Sequence, residues 1–361
     1  MVDPSRLKKF HKYMEKECLD AVFITLPRSV YYFTGFNTNP HERFFGLYLV
    51  LGEEPVLIVP ELDLEKATLK SNVQNILTHR DGDNPLKILK ELTTQRIGKC
   101  GVQKEHLTLA RFEEIDSVIM AESYINVDEE IQKMNVIKSQ DEIVKIKEAI
   151  RISDEALYEG LKIVKQGISE YEIAAEIQFQ RIRLGADGGG LMVVSGEKSA
   201  LPHGRTGDRI IEEGDLLLID GGVQKDGYVS DITRTFAVGE INAEKKRIYN
   251  TVLEANHAAI EAIKPGISFG ELDTIARNII IEKGFGKYFT HRLGHGMGMN
   301  NHEYPSIHGL NQDFIQAGMV FTVEPGIYVP DVGGVRIEDD VAVTKDGFEI
   351  LTHFPKELTI L

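Results

Sequence analysis

The sequence predicts an α+β protein in which a smaller α/β domain, residues 1–125, leads through a linker, 126–138, into a duplicated, pseudo-twofold α+β domain, 139–361. Three observations carry that prediction. A chain of 361 residues has room for about two domains of ordinary size, roughly 150 residues each. Helical and strand patterns alternate through the first third. In the remainder a motif returns: Lys165-Gln166-Gly167-Ile168-Ser169 reappears as Lys264-Pro265-Gly266-Ile267-Ser268, 99 residues later.

In chain order, Leu7, Phe10 and Met14 mark the apolar face of a first helix, and 21–26 reads as a strand. Strand-like runs follow at 47–51, 56–59 and 97–102, which together make an α/β layer. No glycine-rich phosphate loop follows these strands, so nucleotide binding has no support. Residues 126–138 are polar and charge-rich, as a linker is. Ser139 with Glu142 then forms a capping box, and Ile143, Ile146, Ile150, Leu157, Leu161 and Val164 recur at helical spacing. Ser169 with Glu172 opens a second helix. Ser268 with Glu271 is its counterpart, preceded by a helical pattern over 244–263. Downstream, the apolar run ending at Asp220 is echoed by the run ending at Glu324, an offset of 104.

Composition narrows the classes of function. Apolar residues make up 42% and charged residues 27%, ordinary for a soluble globular chain. Net charge is −15, from 41 Lys+Arg against 56 Asp+Glu, so neither a nucleic-acid footprint nor an anionic-membrane footprint is expected. Cys18 and Cys100 supply neither a disulfide scaffold nor a thiolate zinc site. No run approaches the ~18 apolar residues of a membrane span. The opening Met1-Val2-Asp3-Pro4-Ser5-Arg6 lacks the apolar core of a leader, and a reducing cytoplasm is the expected location.

The chemistry concentrates in two hairpins. A hairpin centred between Lys225 and Asp226 places Asp220 opposite Asp231; one centred on Asp331 places Glu324 opposite Glu338. A lone aspartate on a strand is usually turn or surface chemistry. Facing carboxylates in otherwise apolar strands, twice over, repel and are costly to desolvate unless cations sit between them. Imidazoles gather nearby: His291, His295, His302 and His308 precede the second hairpin, and His203 precedes the first, 99 residues before His302. Carboxylates with imidazole suit two divalent ions such as Mn²⁺, Co²⁺, Fe²⁺ or Zn²⁺. Such an ion pair bridges and acidifies a water, which is hydrolase chemistry.

These motifs resemble the metallopeptidases of the pita-bread fold, the group containing prolidase, aminopeptidase P and methionine aminopeptidase. The resemblance runs along essentially the whole chain. It is carried by Asp220, Asp231-Ile232-Thr233-Arg234-Thr235, His291-Arg292-Leu293-Gly294-His295-Gly296, Val323-Glu324-Pro325-Gly326-Ile327-Tyr328 and Gly334-Val335-Arg336-Ile337-Glu338-Asp339-Asp340. It implies a creatinase/prolidase-type N-terminal domain and two metal ions per subunit, Mn²⁺ foremost. The implied ligands are Asp220, Asp231, His295, Glu324 and Glu338, with Asp231 and Glu338 bridging and Glu324 also the proton shuttle. It further implies substrate contacts from His203, His291 and His302, with His203 and His302 at the scissile bond. Tyr328 and Arg336 match residues of the pocket and its surroundings, and a plain salt bridge from Arg336 to a ligand carboxylate is an equal reading.

An N-terminal domain separates the chain from methionine aminopeptidases and leaves two activities. One is an Xaa-Pro dipeptidase, cleaving before a C-terminal proline. The other is aminopeptidase P, which trims longer Xaa-Pro peptides. The stretch Phe33-Thr34-Gly35-Phe36-Asn37-Thr38-Asn39-Pro40-His41-Glu42-Arg43 resembles a loop that reaches the neighbouring active site in homodimeric bacterial Xaa-Pro dipeptidases, and it favours the dipeptidase. Two departures stand out: Asn39 where relatives have Asp, and a more polar Met299-Asn300-Asn301 before His302. A peptidase-like binding module is the alternative of another class, and the complete ligand set argues against it.

Overall fold

The computed structural model describes residues 5–361. The first four residues, within the stretch read as lacking a leader, lie outside the described residues. The chain divides into two compact units, Met1–Asn135 and Val136–Leu361. None of the described helices is long and apolar enough to cross a membrane.

The first unit is built on a six-stranded mixed sheet. Its central strand Ala21–Ile24 is buried at every residue because helices cover both faces, so its sequence runs apolar without alternation. It pairs antiparallel with Gly46–Val50 and parallel with Lys99–Val102. The outer strands Asn75–His79 and Ser123–Asn126 are half exposed and carry no comparable apolar run. Within the expected linker lies a helix, Asp128–Val136, whose first turn holds Asp128, Glu129 and Glu130, favourable charges at a helix N-terminus.

In the second unit the three capping boxes are all formed, at Ser139/Glu142, Ser169/Glu172 and Ser268/Glu271. They open helices Gln140–Gly160, Glu170–Arg183 and Phe269–Glu282. Ala243–Glu261 completes the second helix pair. The repeated motif is duplicated down to its hydrogen bonds. Gly167 N–H donates to the Ile211 carbonyl at 2.9 Å and Gly266 N–H to the Ile315 carbonyl at 3.0 Å. The two glycines take φ of +92° and +94°, a left-handed conformation that favours this residue.

Each helix pair covers β-structure that ends in a hairpin. In the second half the expected register holds: Gly326 pairs with Arg336 on one side of the ligand positions and Val323 with Asp339 on the other. Glu324 and Glu338 therefore face each other at the step between two ladders. In the first half the expected register does not hold. The turn is centred on Asp226-Gly227, both at positive φ, +48° and +78°, and Asp220 pairs with Thr233 rather than Asp231. A two-residue hairpin turn needs two residues tolerant of positive φ, and Asp-Gly supplies them where Lys225-Asp226 cannot. The slip is an even number of residues, so Asp231 stays on the same sheet face as Asp220, displaced diagonally.

The two return strands meet across the pseudo-twofold axis. Thr235 lies against Arg336, Thr233 against Glu338, and Asp231 against Asp340.

Candidate metal centre and active site

A cavity of about 410 Å³ opens where the return strands meet, within the usual range of small-ligand sites, roughly 300–1,000 Å³. Asp220, Asp231, His295, Glu324 and Glu338 all line it. So do His203, His291, His302 and Arg336, whereas Tyr328 lies behind them with its hydroxyl between His291 and Arg336.

His295 stands in the short strand Gly294–Gly296. Its N–H donates to Thr322 Oγ1 at 3.1 Å, and its Nδ1–H donates to the Gly296 carbonyl at 3.2 Å. That bond leaves the Nε2 lone pair directed at carboxylates, 3.3 Å from Glu324 Oε1 and 4.0 Å from Asp231 Oδ2. Asp231, His295 and Glu338, all buried, offer ligand atoms within 4.8 Å of one another. Glu338 Oε2 accepts the Thr233 hydroxyl at 2.6 Å, and Asp231 N–H donates to Asp340 Oδ2 at 3.0 Å. Asp220 is drawn toward Arg336, whose Nη2 donates to Asp220 Oδ2 at 2.6 Å.

The electrostatics of this group are those of anions crowded together out of water. Burial, then Glu338 and Asp220, holds the Asp231 carboxyl well above its ordinary value. Burial pushes Glu324 up to about 7 against the pull of Arg336, and burial followed by Glu324 pushes Glu338 up to about 8. Burial lowers His295 despite the Glu338 charge, so its imidazole is neutral. An imidazole anchored through one nitrogen, with its other lone pair facing several carboxylates, is the donor arrangement of a divalent-cation site. A cation there lets the acids ionise together. The residues present fit the metals expected from the sequence.

Beside this centre His302 and His291 are also neutral. Burial lowers His302 to about 4, helped by His295, whose ring centroid is 3.9 Å away. His291, lowered to about 4 mainly by burial, donates from Nδ1 to the Arg292 carbonyl at 2.7 Å. Its Nε2 accepts the Tyr328 hydroxyl at 2.9 Å, and that oxygen accepts Arg336 Nη1–H at 2.7 Å. A directed chain thus runs Arg336 to Tyr328 to His291.

Other residues escaped the sequence reading. Asp339 and Asp340 resemble an incidental acidic cluster, yet Asp340 holds the Asp231 backbone, and Asp339 pairs with fully buried Arg234 at 2.8 Å. Arg234 also donates to the carbonyls of Thr233 and Glu338. Buried Asn256 donates to the Val323 and Ile337 carbonyls at 3.1 and 3.3 Å, the residues just before Glu324 and Glu338, and accepts Lys356 Nζ at 2.9 Å. The one available sequence signal was the run of acids inside the apolar strand 337–343.

A duplicated α+β domain whose hairpins converge on a carboxylate–imidazole cluster defines the pita-bread class of metallopeptidase folds. The sequence model of Metallopeptidase family M24 matches residues 144–345, and that of the Creatinase/Prolidase N-terminal domain matches 6–137. The chain belongs to family M24. Among solved structures, the prolidase from Pyrococcus horikoshii OT3 is 40% identical, with TM-score 0.91 over 98% of this chain and 99% of its own. The Xaa-Pro dipeptidase from Bacillus anthracis is 34% identical, with TM-score 0.93 over 99% of both chains. The X-Pro aminopeptidase from Thermotoga maritima MSB8 is also 34% identical, with TM-score 0.88 over 97% of this chain and 100% of its own.

Proposed function

We propose that this protein is a metal-dependent Xaa-Pro dipeptidase, hydrolysing the bond before a C-terminal proline. The observation that carries the reading is the convergence of His295 Nε2 with Asp231, Glu324 and Glu338 at one cavity. Likeness to a prolidase and an Xaa-Pro dipeptidase along the full chain supports it.

Asp220, Asp231, His295, Glu324 and Glu338 would hold two divalent ions, Mn²⁺ in the first instance. When bound, the ions supply Lewis acidity for a carbonyl and a water. Glu324, ionised once cations offset the crowded acids, takes a proton from the attacking water and delivers it to the departing proline nitrogen. His203 and His302 steady the scissile carbonyl, and His291, fixed by Tyr328 and Arg336, borders the proline ring. Proline suits a specialised site because its peptide nitrogen carries no N–H and its ring fixes φ, so common peptidases bind it poorly. A homodimer, with residues 33–43 reaching the neighbouring cavity, and a cytoplasmic location belong to the same proposal.

The X-Pro aminopeptidase likeness supports a second reading, removal of the first residue from longer peptides. Purified protein loaded with Mn²⁺ and offered Xaa-Pro and Xaa-Pro-Yaa decides between them. Cleavage of dipeptides is expected; release of the first residue from tripeptides alone makes it an aminopeptidase. No bound divalent ion, with neither cleavage, favours a binding module.

A further inference from the structure

The loop 298–303 carries Asn301 and His302 into the cavity; the Val229 N–H donates to its Gly298 carbonyl at 2.8 Å, and a buried carboxylate closes its turn. Glu303 Oε1 accepts the N–H groups of Met299 and Asn300 at 2.9 and 2.8 Å, which closes the turn. Its Oε2 accepts Lys138 Nζ at 2.9 Å. This ion pair is deeply buried, the two side chains only 1% and 8% exposed. Lys138 is itself tethered, its N–H donating to the Gly318 carbonyl at 2.8 Å. It reaches Glu303 through the space left by Gly298, where a Cβ would stand 2.7 Å from Lys138 Cε. Beyond this anchor the loop sets Asn301 Nδ2 3.5 Å from Asp231 Oδ2 and the His302 ring against that of His295.

A buried ion pair adds little net stability over an apolar pair of the same volume, because both charges lose their hydration. What this one does supply is direction: the ammonium fixes the carboxylate, and the carboxylate fixes two consecutive backbone amides. We propose that the Lys138–Glu303 pair is a positioning device for substrate binding, setting where His302 and Asn301 stand in the cavity. The proposal rests on the reading of the cavity as a peptide site. Neither residue touches the reacting atoms; both act through the loop.

Lys138→Met in the full-length Mn²⁺ enzyme tests it. KM for Xaa-Pro is expected to rise about tenfold and kcat to fall by about as much, because the displaced His302 both meets the substrate and steadies the scissile carbonyl. Mn²⁺ stoichiometry should not change, and hydrogen exchange at the Met299 and Asn300 amides should accelerate. Glu303→Gln keeps an acceptor for those amides and removes only the charge. It should move KM the same way, and it replaces Lys138→Met if that variant does not fold. The double variant should show no larger a KM defect than the worse single variant, since both remove one contact. A lower melting temperature with KM, kcat and amide exchange unchanged would overturn the proposal, as would loss of bound Mn²⁺. If the native enzyme cleaves no Xaa-Pro peptide, the functional reading fails by itself. Amide exchange at 299 and 300 still decides whether the pair sets the loop.

Discussion

The two acid-bearing hairpins are built on one plan and finished differently. The first turns tightly at Asp226-Gly227 and offers two aspartates set diagonally; the second turns more widely around Asp331 and offers two glutamates face to face. Symmetry is retained in the supports, where Gly167 and Gly266 and their bonds to Ile211 and Ile315 superpose in detail. It is given up at the centre, where His295 has no partner ligand from the first half. The scaffold repeats because packing demands it, while the side chains it brings to the centre differ in reach and in chemistry.

The strongest way to break this comparison is to remove one acid from each half. Asp231→Ala and Glu338→Ala should each lower kcat/KM about a thousandfold, ~4 kcal/mol of transition-state stabilisation. An Asp231→Ala enzyme that keeps more than about a tenth of its kcat/KM would show that the second half carries the chemistry alone.

Next in size is Asn256→Leu, which removes the support that only the second hairpin has. It should weaken Mn²⁺ binding roughly 10–100-fold in a calorimetric titration, the usual effect of losing a group that orients ligands. Unchanged affinity would mean that Glu324 and Glu338 hold their own geometry.

The pH response should expose the crowding of the acids. In the metal-free protein Glu324 and Glu338 keep their protons up to about 7 and about 8, against an ordinary 4.5. Across that window the folded state binds more protons than the unfolded chain, so stability falls as pH rises. Melting temperatures in EDTA should drop between about pH 6.5 and about pH 9, above the range where the lowered His291 and His302 act with the opposite sign, and saturating Mn²⁺ should flatten the slope. A melting temperature in EDTA that climbs over this range would contradict the electrostatic account.

Smallest is the test of the supports themselves. Gly167→Ala and Gly266→Ala should each cost about 1–2 kcal/mol, because both force a Cβ into the left-handed region. Matching shifts in urea midpoint would confirm that the repeat is energetic as well as geometric.

What could be read from the sequence was local or periodic. Ser139, Ser169 and Ser268 announce their helices because a capping box closes within four residues. Four of the five expected ligands, Asp220, Asp231, Glu324 and Glu338, stand out as acids in apolar strands, and His295 as an imidazole between glycines. The expected register of the first hairpin fails because Asp226-Gly227, and not Lys225-Asp226, supplies the two positive-φ residues of its turn. Arg234, Asn256, Lys138 and Lys356 were invisible for another reason. Each acts on a main-chain carbonyl or a carboxylate distant in the chain, 17 residues away for Lys356 and 67 or more for the other three, and nothing near it in sequence marks that target. The outer strands of the first unit were missed because half-exposed strands dilute the apolar signal.

The contact of Thr233 with Glu338 has a consequence for ancestry and engineering alike. A carboxylate from one repeat is steered by a hydroxyl from the other, and Arg336 of the later repeat restrains Asp220 of the earlier one. Ownership of the centre is therefore shared: a chain severed near Gly239 would yield two fragments, each with an unfinished half-socket, and capacity for an ion would return only when the fragments reassociate.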